Sequence, residues 1–280
     1  MKHEENCFTN RIANNIAYQF WLPKQNTQRL KGIIVISHGL AEHGGRYQHV
    51  ALYFVSLGYG VYAIDHLGHG KSSGTPCFAR SMDDYVECLQ DLIQIVKKTH
   101  GDIPVFLLGH SMGGLIASLY LLDHQNELKG AILSAPLIAS HSKPTRIQTF
   151  LVKFLARFFP KVGVLQLDPR LVSRDPDVIQ NYIEDPLVYS GKVTAKLSIA
   201  LGAGMAKIHR LALNIKLPII ILQGAEDKLV KPEGAKVLFN KVSSTDKSLE
   251  YFDNCYHEIL NEPEQNEVLS SISNWLEQRL

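Results

Sequence analysis

The pattern Gly-x-Ser-x-Gly occurs twice in this sequence, at residues 70–74 (GKSSG) and 109–113 (GHSMG). A serine in this pattern can attack a carbonyl carbon when it lies on a sharp turn between a strand and a helix, because the turn exposes its hydroxyl. Residues 105–108 (VFLL) are typical of a buried strand, and residues 115–120 (LIASLY) are typical of a helix. The context therefore predicts Ser111 as the nucleophile of an acyl-transfer reaction.

The first match has a different context. Thr75 and Pro76 follow it and begin no helix, so we interpret Ser72 as structural. Gly70-Lys71-Ser72 also resembles the end of a phosphate-binding loop, but position 65, which would have to be glycine, is Asp65. This excludes a nucleotide site here.

A serine hydroxyl needs a base to accept its proton, and the base needs a carboxylate to fix its tautomer. Around such a turn the usual order along the chain is serine, acid, histidine. Asp227 follows the strand-like run 218–222, and His257 follows the run 247–252. Glu226 competes for the acid role, but Asp227 completes the more usual Gly-x-x-Asp turn. The sequence predicts a triad of Ser111, Asp227 and His257.

Acyl transfer also needs hydrogen-bond donors for the developing oxyanion. One donor is expected from the backbone N–H of Met112, directly after the serine. The second is expected from Leu40, because the strand-like run 33–37 continues into His38-Gly39-Leu40. A His-Gly pair is as often a plain turn, and its occurrence together with Ser111 favours the oxyanion role.

These residues all follow short apolar runs that alternate with helical patterns. The runs are 32–37, 60–64, 105–108, 130–134, 218–222 and 247–252, and the helical patterns are 46–56, 82–99, 112–124, 234–242 and 264–279. This alternation predicts an α/β fold with a mostly parallel central sheet flanked by helices. Ligands bind at the carboxyl ends of the strands in such sheets, which is where the candidate residues lie.

Residues 138–215 interrupt the alternation, with helical patterns and no recognisable strand. We predict an inserted helical cap at 138–215, and a core formed by 1–137 and 216–280. From position 141 to 215 there are 11 Lys and Arg against five acids, whereas the whole chain has a net charge of +2. The cap is thus the basic part of the chain.

Composition limits the remaining function classes. The chain has 280 residues with 45% hydrophobic residues, which fits one domain. Four scattered cysteines without a CxxC pair indicate reduced thiols in the cytoplasm, and neither a signal peptide nor a membrane-spanning run is recognisable. We find no ligand cluster or phosphate loop for a metal or other cofactor, and no nucleic-acid module. The oligomeric state is open.

Further motifs carry a family resemblance that runs from about residue 15 to the C-terminus. They are residues 38–47 (HGLAEHGGRY), 65–72 (DHLGHGKS), 109–114 (GHSMGG), 185–187 (DPL), 223–227 (QGAED) and 256–257 (YH). This set is similar to the signature of monoacylglycerol lipases and related lysophospholipases of the α/β-hydrolase class.

The resemblance implies a serine esterase that cleaves monoacylglycerols, or similar single-chain lipid esters, to fatty acid and glycerol through an acyl-Ser111 intermediate. It implies an apolar tunnel under the cap and a glycerol-end pocket near Glu42, Arg46 and Tyr182. For Glu42 and Arg46, however, we favour a structural ion pair over a role in binding glycerol. Val230 lies where some members have a reactive cysteine. The alternative enzyme is a lysophospholipase. The alternative outside the enzymes is a non-catalytic protein of the same fold that only binds a ligand.

The cap contains an unusually apolar helical stretch at 147–159. At 3.6 residues per turn, Arg146, Lys153 and Arg157 lie on one side of this helix. One interpretation is a helix over the acyl tunnel with a solvated basic stripe. The other is peripheral contact with an anionic membrane, from which an insoluble substrate would be drawn.

Overall fold

The computed structural model describes residues 1–24, 30–141 and 145–280. Its strands are β1 (Lys2–Thr9), β2 (Asn15–Leu22), β3 (Ile33–Ser37), β4 (Gly60–Ile64), β5 (Val105–His110), β6 (Gly130–Ser134), β7 (Gly163–Leu165), β8 (Val193–Thr194), β9 (Ile219–Gly224) and β10 (Lys247–Phe252). Within these residues, eight strands form one sheet in the order β1-β2-β4-β3-β5-β6-β9-β10. From β4 to β10 every pairing is parallel. The predicted α/β fold is confirmed.

Helices cover both faces of this sheet. They are α1 (Gln48–Ser56), α2 (Asp83–His100), α3 (Met112–His124), α4 (Arg146–Phe158), α5 (Pro176–Glu184), α6 (Ala195–Leu211), α7 (Pro232–Lys241) and α8 (Gln265–Glu277), with short 3-10 turns at Gly44–Tyr47, Gln125–Glu127, Pro169–Leu171 and Ala212–Asn214. Successive side chains of a strand point to opposite faces. In β3, Ile33 and Val35 enter one core and Ile34 and Ile36 the other. Burial on both faces explains why this strand is apolar without a break.

The N-terminal part of the sheet was not predicted. β1 and β2 form an antiparallel hairpin, and β2 pairs antiparallel with β4. Nearly every residue of β1 is exposed, so it has no apolar alternation to indicate a strand. In β2, Ile16, Phe20 and Trp21 are buried, and they tie the hairpin to the core.

The chain leaves the sheet between β6 and β9. There it forms α4, α5 and α6 and the small antiparallel pair β7–β8. The expectation of no strand in this segment was wrong, because β7 and β8 are two or three residues long and too short to give a pattern. α6 packs on α3, and α4 packs on α6. The bounds 138–215 for a separate cap remain a prediction.

The parallel strands bring their carboxyl ends to one edge of the sheet. His38 follows β3, Ser111 follows β5, and Asp227 and His257 follow β9 and β10. In the described part of the chain, no helix is both long and apolar enough to cross a membrane.

Candidate active site

Ser111 lies on the turn between β5 and α3, with a φ of 53°. Its N–H donates to the Ser134 carbonyl at 3.0 Å, which anchors the turn to β6. A Cβ at Gly113 would lie 1.9 Å from the Ser37 carbonyl oxygen, and one at Gly109 would lie 2.5 Å from the Gly113 carbonyl oxygen. Both flanking glycines are therefore needed for strand, turn and helix to come this close.

The three residues predicted as a triad are joined by two short hydrogen bonds. His257 Nε2 lies 2.8 Å from Ser111 Oγ, and His257 Nδ1 lies 2.7 Å from Asp227 Oδ2. With the proton on Nδ1, Nε2 accepts from the serine hydroxyl. Glu226, the competing acid, is exposed, whereas Asp227 is buried. This arrangement can move a proton from the serine to the imidazole.

Four donors fix the Asp227 carboxylate. Oδ1 accepts from the N–H groups of Leu229 and Val230, and Oδ2 accepts from Gln223 Nε2 and from His257. Burial raises the pKa of Asp227, but the His257 ring and the backbone donors outweigh burial and lower it. The acid is therefore ionised and held toward the imidazole.

The environment of His257 shifts its pKa in the opposite direction. Burial lowers the pKa of His257, but the charge and hydrogen bond of Asp227, with smaller contributions from Glu258 and Glu42, raise it above its ordinary value. The His110 ring centroid lies 4.8 Å from that of His257. Burial lowers the pKa of His110 to about 3, so this second ring stays neutral beside the base.

The loop after β3 lies directly against the serine. A Cβ at Gly39 would lie 3.3 Å from Ser111 Cβ and 2.7 Å from Glu42 Oε1. The Gly39 N–H donates to this same Glu42 oxygen at 2.6 Å, whereas among the described residues the Leu40 N–H donates to no acceptor. Met112 is the first residue of α3, so its N–H has no acceptor within the helix. Among the described residues, both predicted oxyanion donors therefore lack an acceptor within the protein.

A buried ion cluster connects this loop to the histidine loop. Arg46 Nη1 lies 2.7 Å from Glu42 Oε2, and the two Nη atoms each lie 2.7 Å from an oxygen of Glu258. Tyr47 donates to Glu42, and Asn261 donates to Glu258. Burial raises the pKa of Glu258, but Arg46 outweighs it and lowers this pKa to about 2. A role for Glu258 was not predicted from the sequence, because nothing there distinguishes it from the other acidic residues.

Ser111 and His257 open into a cavity of about 760 Å³ between the sheet edge and the inserted helices. Its apolar lining includes Leu137, Val152, Leu167, Leu201, Met205 and Leu229. Glu42, Glu258 and Tyr182 also line it. The cavity thus combines a long apolar wall with a small polar part next to the serine.

The remaining sequence candidates have distinct positions. Arg46 does not line the cavity; its guanidinium lies 4.7 Å from the centre of the Tyr182 ring and under it. Val230 is buried at the cavity wall. Ser72 Oγ donates to the Asp65 carbonyl and accepts from the Ala17 N–H, as a structural serine would. Over the described ranges, no group of three or more His, Cys, Asp or Glu side chains could hold a metal ion.

Fold and site define a serine hydrolase of the α/β-hydrolase class. The family described as "Serine aminopeptidase, S33" matches residues 28–264, and the chain belongs to this family. It is 36% identical to a monoacylglycerol lipase of Mycolicibacterium smegmatis over 97% of this chain and 96% of the relative. It is 32% identical to a monoglyceride lipase of Rattus norvegicus, over 94% and 86% of the two chains.

A solved structure agrees with these relatives. The crystal structure of the Paleococcus ferrophilus monoacylglycerol lipase superposes with a TM-score of 0.83 at 32% identity, over 100% of both chains. The resemblance predicted from the sequence is thus confirmed.

Proposed function

We propose that this protein hydrolyses monoacylglycerols, or similar single-chain lipid esters, with Ser111, His257 and Asp227 as its catalytic triad. The observation that carries this proposal is the 2.8 Å contact between Ser111 Oγ and His257 Nε2 at the end of a largely apolar cavity. The cavity suits an acyl chain, and its polar residues suit an alcohol headgroup. The monoacylglycerol lipases to which the chain is similar support the substrate class.

The proposed reaction assigns one step to each of these groups. Ser111 Oγ attacks the ester carbonyl carbon while its proton passes to His257 Nε2, and the Asp227 carboxylate stabilises the imidazolium. The N–H groups of Leu40 and Met112 stabilise the oxyanion. The bond from carbon to glycerol oxygen then breaks, and His257 returns the proton to that oxygen.

Deacylation repeats these steps with water. Water attacks the acyl carbon and gives its proton to His257, the bond to Ser111 Oγ breaks, and the proton returns to the serine. Fatty acid leaves and the enzyme is restored. Both halves use the same base and the same oxyanion donors.

The first experiment compares a monoacylglycerol with a lysophosphatidylcholine of equal chain length, using wild type and Ser111→Ala. We expect preferential cleavage of the monoacylglycerol by wild type, and a loss of about 10³-fold or more in the variant. Faster cleavage of the lysophospholipid would make the protein a lysophospholipase. Full activity of the variant would exclude Ser111 as the nucleophile.

Covalent labelling distinguishes an enzyme from a non-catalytic ligand-binding protein of the same fold. A fluorophosphonate reacts with an activated serine, so wild type should be labelled and Ser111→Ala should not. Ser72→Ala is the matched control, because it removes the other Gly-x-Ser-x-Gly serine and should label like wild type. A wild type that takes up no label would be a silent binder.

We further infer that the protein acts in the cytoplasm at the surface of an anionic membrane. The four free cysteines support a reducing compartment. On α4, the side chains of Ile147, Phe150, Leu151, Phe154 and Phe158 are all exposed. Arg146, Lys153 and Arg157 lie along one edge of that apolar face, the arrangement of a helix that rests in a lipid interface.

Co-sedimentation with liposomes tests this contact. Binding is expected to rise with the fraction of anionic lipid and to fall in the charge-reversal variant Lys153→Glu/Arg157→Glu. The matched control Lys236→Glu/Lys241→Glu reverses two charges on α7 and should bind like wild type. Binding that ignores lipid charge, or that survives reversal on α4, would exclude this role.

A further inference from the structure

We propose that Glu258, together with Glu42, makes the site select against substrates with an anionic headgroup. The inference rests on the proposed ester hydrolysis and concerns the alcohol part of the substrate. The inference follows from the net charge around the polar part of the cavity, which has to be summed over several residues.

Both carboxylates line the cavity that contains the reacting serine. Gly39 lies between Glu42 and Ser111. A Cβ added to Gly39 would lie 2.7 Å from Glu42 Oε1 and 3.3 Å from Ser111 Cβ, so the Glu42 carboxylate and the serine side chain are near neighbours. Glu258 follows His257 directly in the chain, and both residues line the cavity. A headgroup that places its ester at Ser111 must therefore lie near these acids.

The acids outnumber the bases there. Glu42, Glu258 and the triad acid Asp227 carry three negative charges, and Arg46 provides one positive charge. Their net formal charge is −2 with His257 neutral and −1 with it protonated. His110 adds no charge, because burial lowers its pKa to about 3.

Nearby cations do not correct this excess. Arg174, on the loop before α5, is paired with two acids, Glu262 and Glu264. Among the described residues that line the cavity, Lys153 is the one Lys or Arg, and its side chain is exposed on α4. The charge next to the serine therefore stays negative.

The burial of the cluster makes this charge effective. Glu42 and Glu258 are about 95% buried, so water screens their field less than at the surface. At an effective dielectric constant of about 20, a unit negative charge about 8 Å from one uncompensated carboxylate is disfavoured by about 30-fold. A neutral glycerol headgroup escapes this penalty, and its hydroxyls can donate to the carboxylate oxygens.

The experiment compares three esters with one acyl chain: decanoyl glycerol, decanoyl glycerol 3-phosphate and decanoyl choline. For wild type we expect kcat/KM for the phosphate ester to be at least about 30-fold below that for the glycerol ester. The choline ester, which carries the opposite charge, should exceed the phosphate ester by at least about 10-fold.

The variants Glu258→Gln and Glu42→Gln each remove one charge and should move the glycerol-to-phosphate ratio toward one. A purely structural role would lower both rates and leave this ratio unchanged, which makes the ratio informative even where a variant is less stable. Glu267→Gln removes an exposed acid of α8 and should keep the wild-type ratio. Lys153→Gln should also leave the preference for the neutral ester intact.

Each other outcome overturns the inference. Equal rates for the glycerol and phosphate esters in wild type, or equally low rates for both charged esters, would exclude selection by negative charge while leaving ester hydrolysis in place. If both Glu variants keep the wild-type ratio of glycerol-ester to phosphate-ester cleavage, these two carboxylates do not cause the selectivity. If wild type cleaves none of the three esters, the proposed function falls, and this inference with it.

Discussion

The two Nη atoms of Arg46 each lie 2.7 Å from an oxygen of Glu258, although 212 positions separate the two residues. The same guanidinium also binds Glu42, which holds the N–H of Gly39. One cation, whose side chain is only 10% exposed, therefore connects the loop that contains Leu40, a proposed oxyanion donor, to the loop that contains His257.

Replacement of Arg46 by methionine should be strongly destabilising. It keeps much of the side-chain volume but leaves two buried carboxylates without their cation, and breaking a buried ion pair in this way costs about 3–5 kcal/mol. Chemical unfolding measures this loss. Because both loops lose their common partner, kcat should fall as well.

The matched control is Arg170→Met, which breaks an ion pair with Asp168 at the surface. Exposed pairs contribute little to stability. Its free energy of unfolding and its kcat should equal those of wild type. Equal stability of the Arg46 and Arg170 variants would contradict the role given to Arg46.

The two neighbouring acids after β9 should differ sharply in effect. Asp227→Asn removes the charge that orients His257, and a loss of about 10³- to 10⁴-fold in kcat is expected. Glu226→Gln changes an exposed side chain and should leave kcat within about twofold of wild type, as expected for a surface substitution. Steady-state kinetics of both variants decides which acid serves the triad.

The pH profile should show the raised pKa of His257. The ring must be neutral to accept the serine proton, so activity is lost as pH falls through this pKa. Since Asp227 and Glu258 raise it above the ordinary value of about 6.5, the acidic limb of kcat/KM should have its midpoint above that pH. In Glu258→Gln the midpoint should move down. A wild-type midpoint below the ordinary value would contradict the proposed environment.

Replacement of glycine by alanine should have opposite effects on stability at two positions. Gly113→Ala places a methyl group 1.9 Å from the Ser37 carbonyl oxygen, a backbone clash that cannot relax without moving β3 or α3. A loss of more than about 3 kcal/mol is expected. Gly202→Ala, in the interior of α6, adds a methyl group that has no atom within 4 Å apart from its chain neighbours and the adjacent backbone of α6, and it should gain about 0.5–1 kcal/mol. Unfolding curves of the two variants test both signs.

Much of the central sheet could be predicted because its inner strands β3, β4, β5, β6 and β9 are buried on both faces, whereas the edge strand β10 is only partly buried. The strand bounds at 60–64, 130–134 and 247–252 agree with those of β4, β6 and β10. β1 was missed because its residues face solvent on both sides, so burial imposes no pattern on them. Pairing with β2, a tertiary interaction, holds it in place.

The candidate site shows the same division. Ser111, Asp227 and His257 were predictable because each lies in the loop after a recognisable strand, and topology then determines which strand ends meet. Glu258 was not predictable, because its importance depends on its contact with Arg46. The two residues are far apart in the sequence and become neighbours only in the folded chain. The position of Arg46, which lies under the Tyr182 ring and does not itself line the cavity, likewise depends on packing.

The pairing of β6 with β9 has a consequence for how such a protein can change over time. These strands are neighbours in the sheet, with Ala131 opposite Ile219 and Ser134 opposite Leu222, although the inserted helices separate them in sequence. Their hydrogen bonds do not depend on what connects them. Mutation can therefore lengthen, shorten or replace the inserted segment and so change which substrates fit the cavity. The sheet meanwhile keeps the reactive groups in the same positions.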